Sequence, residues 1–229
     1  MSLYTQLAQL KGKAVALLFP LHCLGCGREG DFFCDSCRHA LPRLLPPLCA
    51  KCGRPLVQDE RCPACQKWHL EISGICSPFL FEGVMRQAIL QFKYHNFKAL
   101  ALPLAQLLAE YLAAKPLPAE NIVPVPLHPR RLRGRGYNQS ALLAWELGKL
   151  TNLTVVEDTL LRLRDTPAQV KAPSAEIRRN NVAGVFACRD RKLEGKQILL
   201  IDDVCTTGAT LDSCAIALNR AGASSVWGL

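Results

Sequence analysis

Eight of the twelve cysteines in this 229-residue chain fall into four CxxC pairs: Cys23/Cys26, Cys34/Cys37, Cys49/Cys52 and Cys62/Cys65. A tight turn within each pair points both sulfurs inward, and two pairs complete a tetrahedral site of four thiolates. Glycine follows Cys26 and Cys52, which suits a turn whose backbone N–H groups face the sulfurs. Without metal, four thiolates repel one another and a stretch of roughly 45 residues offers little core, so zinc supplies the folding free energy here. Sequential pairing is the simplest, with Cys23, Cys26, Cys34 and Cys37 on one Zn²⁺ and Cys49, Cys52, Cys62 and Cys65 on a second. Spacing alone also allows a cross-braced arrangement. Disulfides of a secreted protein would need an export signal that the sequence does not offer, and the paired spacing is ribbon-like rather than that of an iron–sulfur protein. With four protein ligands each, the sites leave no open position for water and are read as structural. Cys76, Cys188, Cys205 and Cys214 stand alone and read as small buried hydrophobes.

Thiolate ligation also changes the charge. The formal net charge of +9 falls to roughly +5 once two four-thiolate zinc sites, each contributing about −2, are included. A moderately basic protein fits an anionic partner, phosphate or nucleic acid. Hydrophobic residues at 49% and charged residues at 21% exclude a disordered chain. No run of about 18 apolar residues is present, which argues against membrane insertion. Residues 1–20 carry Leu3, Leu7, Leu10, Ala14, Leu17 and Leu18 near helical spacing. The apolar run 14–19 is too short for a signal peptide and no small-residue cleavage site precedes Cys23, so a packed N-terminal helix and a cytoplasmic location are expected. The expected organisation is this helix over 1–20, a double zinc ribbon over 21–70, and an α/β domain over 71–229.

The most informative stretch of that domain is residues 197–210, QILLIDDVCTTGAT. The aliphatic run 198–201 predicts a central parallel strand buried on both faces. It ends in Asp202 and Asp203; a small hydroxylated loop follows, then a helix with Leu211, Ala215 and Leu218 on one face. Ligands sit at such carboxyl ends of parallel strands. N–H groups at the helix start hold a phosphate, hydroxyls of Thr206, Thr207 and Thr210 add donors, and Gly208 beside Ala209 lets the backbone come close. The aspartates repel a phosphate and suit a sugar diol, or Mg²⁺ bridging that diol to a further anion. Together these describe a phosphorylated ribose carrying a pyrophosphate.

LLIDDVCTTGAT resembles the phosphoribosyl pyrophosphate motif of type I phosphoribosyltransferases. The resemblance implies a doubly wound parallel sheet, with Asp202 and Asp203 on the ribose hydroxyls and residues Thr206, Thr207, Gly208, Ala209 and Thr210 on the 5′-phosphate. A second stretch, PVPLHPRRLRGRGYNQ, resembles the arginine-rich signature of ComF and GntX-like proteins. Its prolines predict an extended, irregular path, and arginine suits bidentate grip on pyrophosphate. Arg133 and Arg135 match the family's arginines most plainly, and Asn138 predicts a helix N-cap. A third segment, 163–186, resembles the family's RxTxxQ…RxxN…F pattern in Arg164, Thr166, Gln169, Arg178, Asn181 and Phe186, and is long and polar enough for a lid. Between ribbon and arginines, helices are expected over 84–92 and 98–112, with Lys93 at a turn or on a phosphate.

The resemblance implies an enzyme displacing pyrophosphate from phosphoribosyl pyrophosphate with Mg²⁺, by positioning and charge stabilisation. It also implies a role in uptake or handling of transforming single-stranded DNA alongside other competence proteins. A DNA-binding protein using the basic face, or a sensor without turnover, fits the same residues. Aromatic residues at 7% are few for base stacking. No side chain stands out to take an acceptor's proton; His128 and His95 are nearest, and both read as loop histidines.

Overall fold

The computed structural model describes residues 21–56, 62–166 and 174–229, so the helix expected over 1–20 and Gln169 lie outside the described residues. The ribbon portion has little regular structure. Among its described residues two helices, α1 (Asp35–His39) and α2 (Pro63–Lys67), are one turn each and start directly after a cysteine, Cys34 or Cys62. The α/β body then runs β1 (Gly74–Ile75), α3 (Gly83–Tyr94), α4 (Ala101–Ala114), β2 (Asn121–Pro124), α5 (Pro129–Arg135), α6 (Gln139–Thr151) and β3 (Thr154–Val155). It continues with β4 (Leu160–Arg162), α7 (Ala175–Val182), β5 (Phe186–Cys188), β6 (Gln197–Ile201), α8 (Ala209–Arg220) and β7 (Ser225–Gly228).

Five strands form one parallel sheet in the order β1-β7-β6-β2-β3, while β4 and β5 pair antiparallel. The aliphatic run of β6 lies at the centre, and Ile198, Leu199, Leu200 and Ile201 are wholly buried. Alternation across the pleat divides it. Leu199 and Ile201 join Ile122 and the inner faces of α3, α4 and α6; Ile198 and Leu200 join Val123, Val226 and the inner face of α8. Helices thus cover both faces, as a parallel sheet requires. The ribbons divide the same way. Phe32, Phe33 and Leu41 of the first belong to the α3–α4 side of the core, and Cys49, Cys52 and Cys62 of the second to the α8 side. Among the described residues no helix is long and apolar enough to cross a membrane.

The proline- and arginine-rich segment departs from its expected irregular path and forms helix α5. Pro129 sits at the first helical position, where the missing N–H costs nothing. His128 caps it, accepting from the Arg130 N–H at 3.3 Å, and Gly136 ends it in the left-handed region at φ 82°. The 163–186 segment likewise contains a capped helix, α7, whose Ser174 side chain accepts from the Ile177 N–H.

Candidate functional site

Two four-sulfur clusters form in the ribbon portion, and their membership is sequential: Cys23, Cys26, Cys34 and Cys37 in one, Cys49, Cys52, Cys62 and Cys65 in the other. Within each, all sulfurs lie within 4.8 Å of one another. Cys26–Cys34, Cys49–Cys65 and Cys52–Cys62 are 3.6, 3.9 and 3.5 Å apart. A tetrahedron with Zn–S bonds of about 2.3 Å has edges of about 3.8 Å, so the donor sets fit zinc. Convergence of the thiols also splits their acidities. Burial raises Cys23, but N–H groups of Cys34, Cys26 and Gly25 outweigh it and hold the thiol at about 6. Cys37, with Cys23, Cys34 and Cys26 against it, is pushed up to about 12.

The second constellation gathers at the carboxyl end of β6. Asp202 Oδ1 accepts from Ser140 Oγ at 3.2 Å and from the Asp203 N–H at 2.9 Å. Asp203, whose side chain is only 8% exposed, pairs with Lys93 Nζ at 2.8 Å. Burial, and then the Asp203 carboxylate beside it, push Asp202 up to about 7, against the pull of Lys93 and its two hydrogen-bond donors. Beyond the aspartates the loop turns at Gly208, in the left-handed region at φ 78°, into the start of α8. Thr206 is exposed and Thr207 buried, its Oγ1 accepting from the Ala209 N–H at 3.4 Å. A cavity of about 310 Å³ adjoins residues 202–206, walled by Gly53, Arg54, Phe79, Phe81 and Met85 among others.

Gly208 bears on both conformation and packing. A Cβ there would sit 2.8 Å from Ile75 Cδ1 and in a backbone region that side chains avoid. Gly208→Ala is expected to cost about 1–2 kcal/mol and to shift the start of α8. Thermal melts check this, and an unchanged melt would remove the backbone argument.

The basic segment reaches this site through α6. Asn138 caps α6, accepting from the Ser140 N–H at 3.1 Å while its Nδ2 donates to the Val125 carbonyl at 3.0 Å. That cap places Ser140 on Asp202. Arg135 donates to Gln139 Oε1 at 2.6 Å and lies 5.4 Å from the centre of the Tyr94 ring. Gln139 and Tyr137 in turn donate to the carbonyls of Lys93 and Phe92. The last turn of α3 is therefore held against the start of α6, which brings Lys93 to Asp203. The Arg133 side chain is exposed and, among the described residues, makes no hydrogen bond or ion pair. Arg131 pairs with Asp165 at 2.9 Å and the more exposed Arg130 stands 4.0 Å from it, so two arginines of the run face the base of the 163–186 segment. His128 is a helix cap and His95 an exposed residue after α3, in keeping with their reading as loop histidines. Lys93 as partner of Asp203, Ser140 as donor to Asp202 and Arg54 beside Thr206 were not legible in any local pattern.

The double zinc ribbon domain family matches residues 14–66. Competence protein F of Haemophilus influenzae is 30% identical over 225 residues, covering 91% of this chain and 95% of that protein. The DNA utilization protein YhgH of Salmonella typhi is 32% identical over 200 residues, covering 84% and 86%. Competence protein ComFC of Bacillus subtilis is 27% identical over 197 residues, covering 82% and 78%. Among solved structures, glutamine phosphoribosylpyrophosphate amidotransferase from B. subtilis, complexed with ADP and GMP, aligns with 61% of this chain at 19% identity and a TM-score of 0.41; the chain spans 30% of that protein's length. The ribbon clusters lie in the matched double zinc ribbon and fit structural zinc, and the body is a parallel α/β sheet covered by helices on both faces. Identity of 30% over 225 residues, 91% of this chain and 95% of the Haemophilus protein, makes this chain a member of the ComF family.

Proposed function

We propose that this protein binds phosphoribosyl pyrophosphate with Mg²⁺ at the end of β6, transfers the phosphoribosyl group to an acceptor, and serves the handling of incoming single-stranded DNA. One observation carries the reading: a largely buried carboxylate pair and a left-handed glycine leading into a helix start stand at the end of one central strand. The loop offers N–H and hydroxyl donors to the 5′-phosphate, and Asp202 and Asp203 accept from the ribose diol. Arg133 and Arg135 supply cations for the pyrophosphate. Mg²⁺, when bound, neutralises the leaving group. The acceptor's nucleophile bonds to the anomeric carbon as the carbon–oxygen bond to pyrophosphate breaks, and pyrophosphate leaves with the electron pair. The 310 Å³ cavity beside residues 202–206 gives an acceptor room. The DNA role rests on the names of the relatives, competence protein F and DNA utilization protein. Thermal protection by phosphoribosyl pyrophosphate that requires Mg²⁺ is the expected result, and no protection by the pair would contradict the reading.

A second reading, direct binding of single-stranded DNA, is favoured by Tyr94, 62% exposed with Arg135 over its ring. An exposed aromatic beside an arginine offers a stacking platform for a base. DNA affinity that falls with salt at a log–log slope of about −0.7 per phosphate contact is then expected, with Tyr94→Ala lowering affinity and leaving the slope unchanged. A slope near zero would contradict it.

A further inference from the structure

The second zinc ribbon reaches the loop expected to hold phosphate. Its first knuckle is closed by the Gly53 N–H on the Cys49 carbonyl and the Cys49 N–H on the Arg54 carbonyl, both at 2.8 Å. The knuckle is then fastened to the sheet edge, where the Ile75 N–H donates to the Lys51 carbonyl at 3.0 Å. Gly53 packs so closely on β1 that a Cβ would stand 2.6 Å from the Ile75 carbonyl oxygen. Ile75 in turn lies against Gly208 at the start of α8. From this anchored turn Arg54 extends to Thr206, donating from Nη2 to its carbonyl oxygen at 3.4 Å. The first cluster has different surroundings. Gly25 and Cys37 pack near Val84 of α3, and Arg38 pairs with Glu110 of α4.

A long contact to one backbone carbonyl uses little of a guanidinium's donor capacity, and among the described residues Arg54 is in no ion pair. Phosphate in the 206–210 loop would offer that group charge-assisted hydrogen bonds in a fork geometry. We infer that Arg54 is a binding residue for the phosphate held by the 206–210 loop, and that zinc in the second cluster, by fixing the knuckle, is part of the ligand site as well as of the fold. The inference rests on the reading of that loop as a phosphate site.

The test uses the full, zinc-loaded chain as wild type, Arg54→Gln and Arg54→Lys, each checked for zinc content and thermal midpoint. Each is titrated calorimetrically with phosphoribosyl pyrophosphate and Mg²⁺, with ribose 5-phosphate, and with pyrophosphate. Arg54→Gln is expected to weaken the first two ligands by about tenfold or more and to leave pyrophosphate unchanged. Arg54→Lys should recover part of the loss, since it keeps the charge without the fork. Gln and Lys variants that bind alike, or an Arg54→Gln protein with wild-type affinity, would overturn the inference and leave the phosphoribosyl pyrophosphate reading standing. A wild type that binds none of the three ligands would overturn both.

Discussion

Stripping zinc from this protein is expected to unfold the ribbon portion and to lower the melting temperature of the body as well. Zinc binding in small ribbon-like units is worth about 10–16 kcal/mol at neutral pH and is nearly all of their folding free energy. The two ribbon helices are five residues each, far below the length at which a helix persists alone. The body would feel the loss because Phe32, Phe33 and Leu41 complete one side of its core, and Cys49, Cys52 and Cys62 lie within the other. The two clusters should differ. Cys52 is buried and Cys26 exposed, so Cys52→Ser should be the more damaging. A loss of about 5 kcal/mol there would lower the midpoint by about 10–20 °C in a chain of this size. Metal analysis and thermal melts of both variants, with and without added zinc, check this. Equal midpoints for wild type and Cys52→Ser would show that the second cluster carries no stability.

Asp202→Asn should stabilise the ligand-free protein at pH 8 and destroy the proposed phosphoribosyl pyrophosphate site. Asp202 is pushed up to about 7 by burial and by Asp203, whereas in the unfolded chain it titrates near 3.9. The folded state therefore holds a proton that the unfolded state has released. The stability linked to that proton is full below about pH 4 and drains away as the pH rises through 7, on the order of 2–4 kcal/mol in all. Asparagine keeps an oxygen for Ser140 and for the Asp203 N–H, and it does not ionise. The zinc-loaded Asp202→Asn protein should melt about 4–16 °C above wild type at pH 8, with the gap closing as the pH falls below 6. A wild type that is the more stable at pH 8 would contradict the assignment. Stability gained by removing a strained charge at the cost of binding is the usual mark of a functional site.

Those two aspartates were legible in the sequence because everything around them is local. The aliphatic run, the acid pair and the TTGAT loop are contiguous, and the run became β6, one residue longer than its aliphatic core. Sequential cysteine grouping was the simplest reading and is the one the fold adopts, although spacing alone left cross-bracing open. The helix at Pro129–Arg135 was missed because proline was read as a breaker, when a proline after a capping His128 opens a helix. The remaining site contacts join residues far apart in the chain. Ser140 meets Asp202 across 62 residues and Arg54 meets Thr206 across 152. Such pairs follow from how β1, β2 and β6 share one sheet, and no periodicity or motif in a single sequence records them.

Isothermal titration of the zinc-loaded protein with phosphoribosyl pyrophosphate and Mg²⁺, beside an Asp202→Asn/Asp203→Asn double variant, tests the central claim most directly. Micromolar binding by the wild type, weakened at least about 100-fold in the variant by the loss of two charged hydrogen-bond acceptors, is the result expected. A folded wild type that releases no heat and shows no saturation, or a double variant that binds as tightly, would contradict it and leave single-stranded DNA as the ligand to pursue.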